Sequence, residues 1–254
     1  MSFRSRVSAR EILAGTFLNL GNSLAAEIVA LAGFDWAAVD LEHGAGGELD
    51  ALQQLQAITH TGTAGLVRVE SANASRIAHA LDSGAQGVIV PQISSAAEAA
   101  EAVACCRYSE QRGVARFNRS WQWGQRRGRL EDADADVTCC IQIERRGALA
   151  EVDAIAANDG VDVLFVGPAD LGHALAIDGG ADDPRLLAHA AEVVQAANRH
   201  GKAAGVLCGN VSQVSAYHDL GFTFLGCSAD SALLMENARN VSAAIHAFPS
   251  REPG

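Results

Sequence analysis

Four apolar runs of this sequence end in side chains of the types that hold metals and move protons. Glu144 directly follows one run, and Asp170 follows another after Gly-Pro-Ala. A third run ends in Asp-Leu-Glu-His at positions 40–43, and a fourth contains Arg68. Because parallel strands present their carboxyl ends at one edge, we expect these side chains to meet in a single site.

The elements that must position this site alternate regularly along the chain. Short runs of β-branched residues alternate with longer alanine-rich segments of helical periodicity. This alternation is typical of a parallel sheet with crossover helices. About 250 residues is the usual size of one (β/α)8 domain. We therefore predict a single-domain (β/α)8 TIM barrel over residues 1–254. Its strands are predicted at 13–18, 36–40, 64–69, 87–92, 137–144, 161–166, 203–208 and 222–227.

Helices and one irregular segment complete the predicted barrel. Ser8 and Glu11 have the spacing of a capping box, which predicts a short helix before the first strand. The stretch 108–136 is rich in Arg, Trp, Gly and Asp and is predicted to be a loop insertion. Helices are predicted at 22–32, 73–82, 95–107, 185–200 and 229–246.

Strand parity predicts which side chains face the interior of the barrel. If Val67 and Val69 face the helices, Arg68 faces inward. The same parity turns Asp40 and Glu42 inward on the second strand, and Gln142 and Glu144 inward on the fifth. A simpler alternative is that Arg68 and Asp40 form only a buried ion pair.

Glu144 and Asp170 supply hard anionic oxygens with no neighbouring cysteine or histidine in sequence. Such ligands suit magnesium or manganese, with cobalt as a further option, better than zinc. Two carboxylates leave coordination positions for water and a chelating substrate. Asp170 has the alternative role of a helix N-cap. The backbone N–H groups of Ala169 and Asp170 are also predicted to bind a substrate carboxylate.

His43 is predicted to be a general base. It follows two acidic residues at a strand exit, where a carboxylate would fix its tautomer and raise its basicity. Covalent catalysis through a lysine Schiff base would instead need a lysine at the same edge of the barrel. The only lysine, Lys202, precedes the seventh strand and is therefore expected at the opposite face of the barrel.

Composition limits the class of protein. A formal charge of −11 argues against nucleic acid as a partner. Apolar stretches stay well short of about 20 residues, so we expect no membrane span and a cytoplasmic protein. The six cysteines lack Cys-x-x-Cys spacing and are expected to be buried free thiols rather than disulfides or a zinc site.

The motifs together resemble those of the HpcH/HpaI aldolases, a family of metal-dependent class II pyruvate aldolases. The resemblance runs from about Gly15 to Ile245. It rests on Val39-Asp-Leu-Glu-His-Gly44, Val67-Arg-Val69, Leu81-Asp-Ser-Gly-Ala-Gln-Gly-Val-Ile-Val-Pro91, Gln142-Ile-Glu144 and Gly167-Pro-Ala-Asp-Leu171.

What the resemblance implies is a barrel that reversibly joins pyruvate, or a related 2-oxoacid such as hydroxypyruvate, to an aldehyde, giving a 4-hydroxy-2-oxoacid. It also implies a swapped terminal helix and a hexamer arranged as a trimer of dimers. Matched by position, Glu144 and Asp170 correspond to the metal ligands, and His43 with Asp40 to the base dyad. Arg68 corresponds to the enolate-stabilising arginine, and Gln142 lines the metal and pyruvate site.

The sequence departs from the family pattern at Arg107-Tyr-Ser-Glu-Gln-Arg-Gly113, which is shortened and lacks the usual prolines. We expect this loop to approach the mouth or a subunit contact, so the acceptor aldehyde does not follow from the resemblance. Three alternatives stay open: an acyl-CoA lyase of the malyl or citryl type, a metal-dependent isomerase or mutase that forms an enolate, and a non-catalytic protein that binds small acids.

Overall fold

Eight parallel strands close into a barrel in simple chain order, β1 to β8, with β8 pairing back onto β1. The computed structural model describes residues 1–248. This architecture confirms the predicted (β/α)8 TIM barrel. The strands are β1 (Leu13–Leu18), β2 (Trp36–Asp40), β3 (Ala64–Arg68), β4 (Gly87–Val90), β5 (Thr138–Ile143), β6 (Val163–Val166), β7 (Ala203–Cys208) and β8 (Phe224–Ala229).

Helices follow the strands, and within residues 1–248 none is long and apolar enough to cross a membrane. The five predicted helices are present within one or two residues of their expected ends. The helices are α1 (Phe3–Ser8), α2 (Ser23–Leu31), α3 (Glu48–Ile58), α4 (Ala74–Asp82), α5 (Ala96–Cys106), α6 (Leu130–Asp136), α7 (Arg146–Ala150), α8 (Val152–Ala156), α9 (Pro168–Leu175), α10 (Pro184–Arg199), α11 (Val211–Leu220) and α12 (Asp230–His246).

The buried side chains form two layers, one on each side of the sheet. Val39, Val67 and Ile141 pack with the helices in the outer layer. The inner layer fills the barrel with residues such as Trp36 and Phe165. The predicted parity is thus confirmed: side chains that alternate with the outer valines and isoleucines point into the barrel.

Several strand boundaries differ from the predictions by two residues, at β4, β6 and β8, and local reasons are visible for β4 and β8. Strand β4 ends at Val90, because Pro91 has no N–H to donate and Gln92 adopts a left-handed backbone with φ 61°. Strand β8 begins two residues later than predicted. Phe222 packs edge-to-face on Tyr217 of α11, with ring centroids 5.4 Å apart, before the strand starts.

The N-terminal helix also differs from the prediction. Ser8 is its last residue rather than its cap, and Ser2 is the N-cap, accepting the Ser5 N–H. Glu11 accepts the Arg6 guanidinium at 2.8 Å instead of closing a capping box. The helix forms earlier because Phe3 packs into the lower end of the barrel, against Phe224.

The insertion at 108–136 packs on the outside of the barrel. Its buried Trp121 donates through Nε1 to the Tyr108 hydroxyl at 2.9 Å. Arg119 donates to the Ser83 carbonyl at 2.9 Å and to Thr59 Oγ1 at 2.6 Å, at the C-terminal ends of α4 and α3. No described residue of the insertion lines the cavity at the barrel mouth. The approach of this loop to the mouth or to a subunit contact stays a prediction.

Candidate active site

A two-point ion pair links neighbouring strands at the barrel mouth. Asp40 and Arg68 are register partners at the ends of β2 and β3. Arg68 donates to Asp40 through Nε at 2.9 Å and through Nη2 at 2.7 Å. Both side chains are buried, so the geometry is fixed in a setting where water screens it weakly. Arg68 and Asp40 therefore do form the buried ion pair that was considered as the simpler alternative. The third guanidinium nitrogen, Nη1, takes no part in this pair.

That third nitrogen connects the ion pair to Glu42 and His43. Arg68 Nη1 lies 3.4 Å from Glu42 Oε2, which lies 3.9 Å from His43 Nε2. The predicted partner of the His43 ring was Asp40. Asp40 instead accepts the backbone N–H groups of Glu42 at 3.1 Å and His43 at 3.2 Å, because Arg68 already engages both of its oxygens. The His43 ring is largely exposed, so it stands at the entrance of the site.

Glu144 lies deeper, directly after β5, and is only 3% exposed. Its Oε1 accepts the Gln92 backbone N–H at 2.6 Å, and its Oε2 accepts the Gln142 side-chain amide. Burial raises the pKa of Glu144, and the charges of Glu42 and Asp170 raise it further against these two hydrogen bonds. The charges of Glu42 and Asp170 thus disfavour the ionised form of Glu144, which a nearby cation would favour.

Asp170 enters the site from the first turn of α9. The N-cap of this helix is Gly167, so the predicted N-cap role of Asp170 was wrong. Pro168 occupies the first helical position, where its missing N–H costs nothing. Helical bonding begins with the Leu171 N–H to the Gly167 carbonyl, at 2.9 Å. The N–H groups of Ala169 and Asp170 precede that bond at the positive end of the helix, where a carboxylate is favoured.

A cavity of about 320 Å³ opens between these elements. Arg68, Gln142 and Asp170 line its polar side, together with the start of α9. Phe165 and Leu207 are among the apolar residues that line it. A few converging polar groups in an apolar pocket of this size are typical of a site for a small molecule.

The site has the oxygen donors that a divalent ion needs. Within residues 1–248, no group of three or more His, Cys, Asp or Glu side chains is arranged to hold a metal. The available donors are the carboxylates of Glu144 and Asp170, with the buried Gln142 Oε1, which has no hydrogen-bond partner. A Cβ at position 167 would lie 3.0 Å from the Gln142 amide nitrogen and 3.1 Å from Glu144 Oε2. Glycine at this position therefore avoids crowding these two side chains. Hard oxygens of this kind fit a magnesium-like ion.

Two residues of the network had no role in the sequence-based site. Glu42 was expected to face inward, and it proves to be the link between Arg68 and His43. Gln92 donates its side-chain amide to Glu42 at 2.8 Å and its backbone N–H to Glu144, so it bridges the two halves of the site. The preceding Val90-Pro91 indicates the end of a strand at this position. The left-handed backbone of Gln92 is unusual for glutamine, and nothing in the sequence predicts it.

Ionisable side chains at the mouth of a closed barrel are typical of an enzyme's active site, and comparison with known proteins gives the family. The family model of the HpcH/HpaI aldolase/citrate lyase family matches residues 13–237 of this chain. A hydroxypyruvate/pyruvate aldolase of Paraburkholderia phytofirmans is 38% identical over 244 residues, covering 93% of this chain and 94% of the relative. A 4-hydroxy-2-oxo-heptane-1,7-dioate aldolase of Salmonella arizonae is 34% identical, covering 95% and 93%.

A solved structure gives the same relationship in three dimensions. The crystal structure of an HpcH/HpaI aldolase/citrate lyase family protein from Burkholderia cenocepacia superposes with a TM-score of 0.91 at 34% identity. The match covers 96% of this chain and 98% of that one. The chain belongs to the HpcH/HpaI aldolase/citrate lyase family and is an enzyme of the aldolase class. Members of this family generally depend on a divalent metal ion.

Proposed function

We propose that this enzyme reversibly joins pyruvate or hydroxypyruvate to a small aldehyde, giving a 4-hydroxy-2-oxoacid. The observation that carries the proposal is the continuous network from Asp40 through Arg68 and Glu42 to His43, beside the Glu144 carboxylate. The 2-oxoacid substrate class is supported by relatives whose names specify hydroxypyruvate and pyruvate. The 320 Å³ cavity lies at the lower end of the usual size range of small-molecule sites.

Each residue has a role that its surroundings support. His43, exposed at the entrance beside Glu42, removes a proton from the carbon next to the keto group of the oxoacid. Arg68, held by Asp40, faces the cavity and stabilises negative charge on the keto oxygen as that proton leaves. The N–H groups of Ala169 and Asp170 bind the substrate carboxylate. Gln142, which lines the cavity, orients Glu144 by donating its side-chain amide to Oε2.

Glu144 and Asp170, with Gln142 beside them, would hold the divalent ion. Magnesium or manganese suits their hard oxygens, and cobalt is the further candidate. When bound, such an ion supplies Lewis-acid polarisation of the substrate carbonyl. The raised pKa of Glu144 is consistent with this role, because a nearby cation would favour its charged form.

A panel of aldehydes tests the proposal. The purified enzyme with Mg²⁺ or Mn²⁺ is incubated with pyruvate or hydroxypyruvate and each aldehyde, and products are identified by mass spectrometry and NMR. We expect 4-hydroxy-2-oxoacids, and cleavage of the same compounds in the reverse direction. Cleavage of malyl-CoA or citryl-CoA without any aldehyde addition would favour the acyl-CoA lyase alternative. Enolate formation with no carbon–carbon bond made or broken would favour the isomerase.

We also propose that the enzyme works in the cytoplasm as a hexamer, a trimer of dimers. Support for assembly comes from α12, whose Leu234, Met235, Val241 and Ile245 are all more than half exposed. A contiguous apolar helix face of this kind is typical of a subunit contact. Light scattering on the purified protein gives the number of subunits directly.

A further inference from the structure

The loop that carries His43 rests against the loop that follows β1. The Ala45 N–H donates to the Asn19 carbonyl at 2.8 Å. Gly21, at φ 63°, approaches Gly46 so closely that a Cβ on Gly21 would lie 2.8 Å from the Gly46 backbone. A Cβ on Gly44 would lie 2.1 Å from the Asp40 carbonyl and 3.4 Å from the Asn19 Cα. The His43 loop therefore has little freedom to move unless the first loop moves with it.

The first loop is held in turn by a buried carboxylate from the other end of the chain. Asp230, the first residue of α12, is only 3% exposed. Its Oδ1 accepts the Asn19 N–H at 2.8 Å, and its Oδ2 lies 3.4 Å from the Leu20 N. A charged acceptor buried against backbone N–H groups makes stronger bonds than a neutral one.

Asp230 also makes a hydrogen bond within its own helix. Its Oδ1 also accepts the Ser231 N–H, at 2.9 Å, in the first turn of α12. Its contacts with two backbone N–H groups of a loop about 210 residues away in sequence are separate from this bond within α12. Both bonds to that loop lie at the mouth, because β8 and β1 are neighbouring parallel strands that end there.

We propose that Asp230 is a positioning residue for His43. Asp230 fixes the backbone at Asn19 and Leu20, Asn19 fixes Ala45, and the loop from Asp40 to Ala45 then holds the His43 ring beside Glu42. The inference rests on the proposed role of His43 in proton removal. Its structural part, the support of the His43 loop by Asp230, is measurable without any catalytic assay.

The first experiment compares Asp230→Ala and Asp230→Asn with the wild type and with Asn73→Ala. Asn73 accepts two backbone N–H groups at the start of α4, so Asn73→Ala also removes a side-chain acceptor at a helix start, but at a different helix from α12. Hydrogen–deuterium exchange of the peptide spanning 41–47 reports on the Ala45 N–H. We expect faster exchange in Asp230→Ala, an intermediate rate in Asp230→Asn, which keeps one acceptor oxygen, and no change in Asn73→Ala.

The second measurement separates positioning from binding. Solvent deuterium incorporation into the pyruvate methyl group gives kcat and KM, and calorimetry gives pyruvate affinity in the presence of Mn²⁺. Since a displacement of about 1 Å in a reacting group can cost about 10²-fold, we expect kcat to fall about 10- to 100-fold in Asp230→Ala. Pyruvate affinity should change less than about threefold, and Asp230→Asn should recover part of kcat.

Gly21→Ala tests the same connection without altering Asp230. Its new methyl group would push on the Gly46 backbone, so it should raise exchange in 41–47 and lower kcat in the same way. If Asp230→Ala does not fold, this variant and Asp230→Asn decide the question. Unchanged exchange of the 41–47 peptide, or raised exchange with unchanged kcat, overturns the inference. Absence of methyl exchange in the wild type would instead count against the proposed function, and the amide exchange result would still stand.

Discussion

Asp40 and Arg68 are joined at two points across the β2–β3 register, with both side chains buried. A pair of this kind does two things at once. It neutralises two charges that would be costly to bury alone. It also fixes the plane of the guanidinium, so that Nη1 lies toward Glu42 and the centre of the guanidinium lies 4.8 Å from the centroid of the Phe17 ring.

The first prediction separates the structural and catalytic roles of this pair. Arg68→Met alone leaves Asp40 buried without its partner, so the free energy of unfolding should fall by about 3–5 kcal/mol. In the double variant Asp40→Leu with Arg68→Met both charges of the pair are gone, and stability in urea should return in part, because Glu42 and the backbone N–H groups that Asp40 accepted still lack their partners. Turnover should stay at least about 10²-fold below the wild type, because the stabilising cation is missing. A double variant with near-normal turnover would leave Arg68 only a structural role.

The second prediction concerns the proton step. His43→Ala should bind pyruvate with Mn²⁺ as the wild type does, yet lose about 10²- to 10⁴-fold in methyl proton exchange, the usual contribution of a positioned base. His60→Ala is a matched control, since His60 is exposed just beyond the C-terminal end of α3, away from the mouth. NMR of solvent deuterium incorporation gives the rates. If exchange persists in His43→Ala, the base lies elsewhere, and His173 in α9 is the next candidate.

The sequence was sufficient for the scaffold and for most side chains of the site. Alternation of strand and helix patterns determined the barrel, and strand parity turned Arg68, Gln142 and Glu144 inward, because both are local periodicities. Contacts between side chains of different loops could not be predicted from such local patterns. The pairing of His43 with Glu42 follows from Arg68 occupying both oxygens of Asp40, which only the β2–β3 register reveals.

The errors in the sequence-based predictions have the same origin. Ser8 has the spacing of a cap, but burial of Phe3 in the floor of the barrel moves the helix to an earlier position. Asp170 is of a residue type that caps helices, but Pro168 already occupies the first helical position and sets the cap at Gly167. In each case packing or backbone geometry outweighed a local preference of modest energy.

The third prediction is a requirement for a divalent ion. A chelator should abolish turnover, and added Mg²⁺ or Mn²⁺ should restore it. Mn²⁺ binding followed by electron paramagnetic resonance should be lost in Glu144→Ala with Asp170→Ala, independently of activity. Asp219→Ala removes an exposed carboxylate at the end of α11 and should bind Mn²⁺ normally. Full activity of the double variant in metal-free buffer would exclude these two residues as ligands.

The fourth prediction follows from the buried thiols. Burial raises the pKa of Cys208 to about 12, and burial also raises the pKa of Cys140. With a pKa of about 12, roughly one thiol in 10⁴ is a thiolate at pH 8, and the thiolate is the reactive form. Native protein should therefore react with iodoacetamide slowly, first at the half-buried Cys227, whereas urea should expose all six thiols. Rapid alkylation of native Cys208 would contradict this.

The same shifts predict how stability depends on alkaline pH. An unfolded cysteine loses its proton near pH 8.5, while the buried thiols keep theirs to higher pH. Because the unfolded state then binds fewer protons than the folded state, the free energy of unfolding should fall as pH rises above about 8.5. Urea unfolding at pH 7.5 and pH 9.5 measures the loss. A replacement of Cys208 by alanine should make this loss smaller.

The last prediction is that no covalent adduct forms with the substrate. A Schiff base would require Lys202, which lies just before β7 and donates through Nζ to the Asp159 carbonyl at 3.2 Å. Burial lowers the pKa of Lys202, which would favour a reactive amine, but a strand of this length separates it from the mouth by about 17–20 Å. Borohydride added with pyruvate should therefore neither inactivate the enzyme nor increase its mass, and Lys202→Arg should keep near-normal turnover. A pyruvyl adduct on Lys202, detected by peptide mass spectrometry, would show that the enzyme makes its enolate through an imine, and the roles of Glu144 and Asp170 would have to be reassigned.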